Sequence, residues 1–345
     1  MKRKVLSVLL AASMVLAMTA CGAKEEAPAE APAAEAAAPA PAAEAEAPAA
    51  DAAAPAAEGT KKVGVILKTL SSEYWGYVAA GVNAAAADLG VEVDLQGPAN
   101  EQAYDEQNNQ IETMLTAGVD AFVIAPLQSD SVASVIGSQN IPILTVDTDA
   151  DIPGKVAFVG TGNENAAYEG GKFAASKAGA DAKAAIIAGD QGNSTSDARE
   201  AGYKKALEEA GIEVVATDYA QSQSDKAASI MENMLQANPD ITIVCCHNDD
   251  TAVAAAKVCK EANRSDVLVV GFDGCQSGVK AVLAGDMTAT CAQSAYGMGY
   301  KCVEAAVKAI NGESVESFVD TGCTVVNSDN AQKYLDELIS YVGEQ

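Results

Sequence analysis

The residues best placed to do chemistry in this chain stand at the ends of apolar, β-branched runs. Val267–Phe272 leads into Asp273, Ile141–Val146 into Asp147, Thr242–Cys246 into His247, Asn248 and Asp249, and Thr288–Ala292 into Gln293. A carboxylate there is rarely core, because an unpaired buried charge is expensive. Arg199 lies near the start of a helix opened by Asn193-Ser-Thr-Ser-Asp197. A cation opposes the macrodipole at that end and needs another reason to be there. Ser71-Ser72-Glu73-Tyr74-Trp75 sets a Tyr and the single Trp at another helix start. Together these groups suit a neutral polyhydroxylated ligand. Asp accepts from two hydroxyls, Arg donates a fork, Asn and Gln do both, and aromatic rings cover an apolar sugar face. Each residue alone reads equally well as a cap, a solvated loop or core; the joint arrangement points to a ligand. Ser72, Thr148 and Asp249, beside the main group, extend the candidate set.

Other chemistries are not supported. Asp147-Thr-Asp-Ala-Asp151 begins like a calcium loop, but Ile152 replaces the sixth-position Gly and Phe158 the twelfth-position Glu. Gly160-Thr-Gly162 lacks the third Gly of a dinucleotide fingerprint. His247, the sole His, has no nucleophile near it in sequence and is expected to finish a core strand. No catalytic set, cofactor or metal is expected, and the chain is not read as an enzyme.

The elements that must position these residues alternate. Strands are expected at 62–68, 91–95, 120–125, 141–147, 156–160, 184–188, 213–218, 242–246, 267–272 and 288–292. Helices are expected at 74–89, 102–116, 129–138, 163–178, 196–210 (capped by Thr195 or Ser196), 224–237, 251–262, 277–284, 296–311 and 330–341. Gly90, Gly118 and Gly211 act as stops. Segment 317–326 is extended and crosses between lobes. Such alternation means parallel sheets flanked by helices. There are too many strands for one sheet of this rhythm, so two similar α/β lobes are expected. Ligands of such sheets sit beyond the strands' carboxyl ends.

Composition supplies an address. The formal net charge of -26 argues against nucleic acid, which needs clustered Lys and Arg. Residues 1–20 read as a signal peptide: Lys2, Arg3 and Lys4, then an apolar stretch too short to span a bilayer. Thr19-Ala20-Cys21-Gly22 resembles a bacterial lipobox, which implies lipidation at Cys21 and extracytoplasmic anchoring to the cell membrane. Segment 21–60 is Ala/Pro/Glu-rich and is expected to be a disordered tether. The seven later cysteines lack CxxC spacing and read as free, buried hydrophobes.

From Lys61 to about Asn327 the chain resembles the type I periplasmic sugar-binding proteins of the ribose/galactose group, solute-binding subunits of ABC importers. The residues that carry the likeness are Ile141–Asp147, Asp197–Gly202, Asn238-Pro-Asp-Ile241, His247-Asn-Asp249, Val269–Gly274 and Thr290-Cys-Ala-Gln293. The resemblance implies two Rossmann-like lobes joined by a three-segment hinge, 61–160 with 294–320 and 161–293 with 321–345. It implies that Asp147, Arg199, Asn248, Asp273 and Gln293 hydrogen-bond a sugar while Tyr74 and Trp75 pack on it. The implied role is capture by hinge closure and delivery to an ABC permease, by a monomer; the alternative is a sensor for a chemoreceptor or histidine kinase. Thr148 stands where ribose binders carry Arg, Ser72 where they carry Asn, and no aromatic falls near Ser222. These departures point away from ribose, toward another monosaccharide, a polyol, or a non-sugar such as a nucleoside or autoinducer.

Overall fold

The structure is a computed structural model that describes residues 59–343. The expected leader, Cys21 and nearly all of the tether lie outside the described residues. Twelve strands among the described residues form two six-stranded sheets. The first holds β1 (Lys62–Ile66), β2 (Glu92–Gln96), β3 (Ala121–Ile124), β4 (Ile143–Val146), β5 (Ala157–Gly160) and β11 (Phe318–Asp320). Their spatial order is β11-β5-β4-β3-β1-β2. The second holds β6 (Lys183–Ala188), β7 (Glu213–Tyr219), β8 (Ile241–Cys246), β9 (Leu268–Asp273), β10 (Ala289–Gln293) and β12 (Cys323–Asn327), in the order β12-β10-β9-β8-β6-β7. Both sheets repeat one doubly wound order, with a reversal beside the first strand of each. Ligand crevices form at such reversals.

The chain passes between the sheets three times: after Gly160, after Gln293, and through Thr321-Gly322. The last passage explains the one departure from parallel pairing. β11 runs parallel to β5, toward the carboxyl ends of its sheet. The chain then enters the second sheet from its carboxyl end, so β12 must run antiparallel to β10, with Cys323 opposite Gln293.

Alternating side chains fill a core on each face. Val63 and Val65 enter one core of the first sheet and Ile66 the other. In the second sheet Cys246 and Val269 face one core, Cys245 and Val270 the other. All seven described cysteines are free; six are buried and Cys323 is partly so. Helix α10 (Ala331–Val342) joins the two lobes: Leu335 packs in the second lobe's core and Leu338 in the first's.

Two helix pairs hold the site helices against the sheets. Helix α1 (Glu73–Leu89) crosses α9 (Ala295–Ile310), and a Cβ at Gly81 would run into the Tyr296 carbonyl, one at Gly299 into that of Val78. In the second lobe α4 (Asn163–Lys177) crosses α5 (Ser194–Glu209), and Gly202 lies against the Glu164 carbonyl. Helix α5 starts earlier than the sequence suggests. Its cap is Asn193, whose carbonyl accepts from the amides of Thr195 and Ser196. The Ser196 hydroxyl instead accepts from Gly189 N–H at 3.1 Å, and the Thr195 hydroxyl pairs with Thr148 at 2.8 Å.

Replacing Gly81 with Val should lower stability by about 3 kcal/mol, at the upper end of ordinary overpacking, because backbone and not a side-chain tip is in the way. Denaturant unfolding checks this; a change under about 0.5 kcal/mol would show that the helices can part freely.

Candidate ligand-binding site

Between the carboxyl ends of the two sheets lies a cavity of about 170 Å³. The first lobe contributes Lys68, Ser72, Tyr74, Trp75, Glu101 and Asp147. The second contributes Thr195, Arg199, Ser222, His247, Asn248, Asp250 and Asp273. Drug-sized ligands occupy upward of ~300 Å³, so this space fits one small molecule. Contacts bridge the cleft between the lobes. Thr148 Oγ1 lies 2.8 Å from Thr195 Oγ1, Gln102 Nε2 donates to the Gln221 carbonyl at 3.0 Å, and Ser277 Oγ donates to Glu73 at 2.7 Å.

Both strand-end aspartates adopt left-handed backbone, Asp147 at φ 63° and Asp273 at φ 112°. Side chains other than Gly rarely do so, and the strain cost clusters at functional sites. Here it turns the carboxylates off the strand direction. On the first lobe's side, Tyr74 Oη donates to Asp147 Oδ2 at 3.0 Å and Lys68 Nζ lies 3.6 Å from Asp147 Oδ1. Burial, and then Asp147, push the Tyr74 phenol well above its ordinary range, so it remains a donor. Trp75 donates its indole N–H to Glu101 at 2.8 Å and meets Tyr74 edge-on at 5.1 Å. Ser72 caps α1 through the Trp75 amide.

On the second lobe's side Arg199 is 3 % exposed. Its Nε donates to Asn163 at 2.9 Å and its Nη1 to the His247 carbonyl at 2.8 Å. Nη1 also lies 3.4 Å from Asp273 Oδ1, and the guanidinium stacks 3.7 Å above the Phe272 ring. Burial holds the Asp273 carboxyl well above its ordinary range, against the pull of Arg199. The Asn248 carbonyl is spent on capping α7 (Asp249–Glu261) through Thr251, which leaves its amide N–H groups for the cleft. His247 is a lining residue and not merely the end of a core strand. Burial, then Arg199 and Lys68, push its imidazole well below the ordinary range, so it is neutral at physiological pH.

The structure gathers Ser72, Tyr74, Trp75, Asp147, Arg199, Asn248 and Asp273 around one cavity. Gln293 sits one step behind, donating to Asp273 Oδ1 at 2.8 Å; its own carbonyl oxygen is buried without a partner. Thr148 also lies behind the wall, bonded to Asp147 and Thr195. Asp249 does not face the cleft. Fully buried, it accepts from Thr290 Oγ1 at 2.6 Å and from Cys275 N–H at 2.7 Å, tying β10 and the turn after β9 to α7; Asp250 lines the cavity in its place. Sequence reasoning missed Lys68, although a cation closing the apolar run 63–67 follows the same pattern as the aspartates. Glu101 carries no local signal, since its contact with Trp75 exists only in the fold.

This is the architecture of a two-lobed solute-binding protein, with its cleft at the strand ends. The chain belongs to the periplasmic binding protein domain family, whose model matches residues 63–314. It is 31% identical over 258 residues to the ribose import binding protein of Escherichia coli K12, covering 74% of this chain and 86% of that one. To the D-allose-binding periplasmic protein of the same strain it is 34% identical over 248 residues, 68% of this chain and 80% of that one. A solved ABC transporter solute-binding protein from Mycobacterium smegmatis with bound glycerol superposes with TM-score 0.73 at 31% identity, over 83% of this chain and 98% of that one. One from Agrobacterium vitis with bound D-fucose gives 0.75 at 30%, over 79% and 97%.

Burial raises the Asp249 carboxyl from its ordinary 3.8 to about 7, against hydrogen bonds from Thr290 and Cys275 that favour the anion. The folded state therefore holds a proton that the unfolded chain has lost. Its contribution is full below about pH 4 and is lost as pH rises to about 7. Asp249→Asn, which cannot ionise, should remove that slope and be the more stable variant at pH 8. Unfolding curves at pH 5 and pH 8 check this; parallel slopes in both proteins would refute it.

Proposed function

We propose that this protein captures a small neutral polyhydroxylated molecule, a monosaccharide or polyol, by closing its two lobes around it. It then delivers the molecule to an ABC permease without chemical change. The observation that carries the reading is the inter-lobe cavity, in which the Asp147–Tyr74–Lys68 group faces the Arg199–Asp273–Asn248 group beside the Trp75 ring. Carboxylates there accept from hydroxyls, the guanidinium and amide donate to them, and the ring covers an apolar face. A ligand that touches both lobes stabilises the closed state by its differential affinity for it. Relatives named for ribose, D-allose and xylitol, and solved neighbours holding glycerol and D-fucose, support the ligand class. With Thr148 in place of an arginine, ribose should rank below larger monosaccharides or polyols. We further read the protein as a monomer held outside the membrane through lipid on Cys21. Among the described residues no helix is long and apolar enough to cross a membrane.

A thermal-shift screen of 61–345 against pentoses, hexoses, polyols, nucleosides and amino acids tests the ligand class. A ligand at about a hundred times its dissociation constant adds about 2.7 kcal/mol. Hits among nucleosides or amino acids alone would overturn the polyhydroxylated reading. Asp273→Ala should stay folded at reduced stability, because it leaves the buried Arg199 without its countercharge, and weaken the best ligand by about 2 kcal/mol or more, through the lost acceptor for ligand hydroxyls. Unchanged affinity in titration calorimetry would remove Asp273 from the site.

A further inference from the structure

Arg199 reaches the cleft from α5, yet the group that fixes its direction comes from elsewhere. Asn163 is the first residue of α4, two residues after the chain leaves the first lobe at Thr161. It is 9 % exposed. Its carbonyl accepts from Arg199 Nε at 2.9 Å, and its amide donates to the Thr161 carbonyl at 3.1 Å. Thr161 Oγ1 in turn lies 3.5 Å from both Thr321 Oγ1 and the Gly322 carbonyl, in the third passage between the lobes. Gln293, at the second passage, donates to Asp273 Oδ1, the oxygen that faces Arg199 Nη1. Each member of the cleft's ion pair is thus tied by one hydrogen bond to a segment where the chain changes lobes.

We propose that Asn163 is a positioning residue that sets the plane of the Arg199 guanidinium and so its engagement of ligand. A guanidinium is planar, so one fixed Nε–H bond, with the Phe272 ring below, determines where both terminal nitrogens point. The proposal rests on the cleft being the binding site. It adds a residue that neither lines the inner cavity nor touches its contents.

Two variants separate positioning from a general role at the start of α4. Asn163→Asp keeps an acceptor for Arg199 Nε but loses the donor to Thr161; Asn163→Ala loses both. The first readout needs no ligand. The chain has three arginines, Arg3, Arg199 and Arg264, so a domain spanning 61–345 shows two arginine Nε–H signals in a ¹H–¹⁵N spectrum. The buried Arg199 signal should exchange slowly in the wild type and in Asn163→Asp, and broaden or vanish in Asn163→Ala. The second readout is titration with D-allose, D-fucose and xylitol. Whichever binds the wild type should bind Asn163→Asp within about threefold and Asn163→Ala at least about tenfold more weakly, the loss of one hydrogen bond to a charged group. An Arg199 signal equally protected in both variants would overturn the positioning role. Equal affinity losses in both variants, or none in either, would overturn the link between that plane and ligand binding. If the wild type binds none of the three while the Arg199 signal responds as stated, the anchoring stands and the affinity comparison is made with the best ligand of the thermal-shift screen, where hits among nucleosides or amino acids alone overturn the ligand class and not the anchoring.

Discussion

A charged guanidinium held inside an apolar lobe is the constraint on which the cleft depends. Arg199 has left water almost completely, and such burial is tolerated only when its donors are satisfied. The Phe272 ring takes one face, Asn163 and the His247 carbonyl take N–H groups, and Asp273 supplies countercharge. Asp273 is offered to the guanidinium at a φ that only strong surrounding constraints maintain. Those constraints are the β9–β10 ladder beneath it and Gln293 beside it. The residues that make the site polar are therefore the same residues that keep its floor rigid.

The first lobe meets the same problem with smaller means. Lys68 and Asp147 face each other at 3.6 Å with Tyr74 completing the group, and Asp147 again carries a left-handed backbone. Both lobes thus deliver a strand-end aspartate and a cation from one strand order. In both, the helix bearing aromatic or cationic side chains is clamped by a glycine-mediated crossing, α1 on α9 and α5 on α4. The duplication is plain in topology and invisible as a sequence repeat, because few positions besides these must match.

The alternation of apolar runs with capped helices made two α/β lobes readable in the sequence, and helix 224–237 coincides with the observed Ser224–Ala237. Strand-end polarity picked out most of the residues that gather around the cavity, for a physical reason: a carboxylate after a buried strand needs a use. The same rule failed at Asp249, since a carboxyl can also be buried as a structural acceptor when amides and a hydroxyl converge on it. It failed to mark Glu101, whose value comes from reaching Trp75 across the lobe. The antiparallel β12 was not legible either, because strand direction depends on the side from which the chain enters the sheet.

The size of the cleft reaches beyond the molecule. A space of about 170 Å³, bridged by two threonine hydroxyls and a glutamine reaching across the cleft, has the scale of a single small unit. If the protein feeds the cell as proposed, saccharide chains have to be shortened before this cleft can take them.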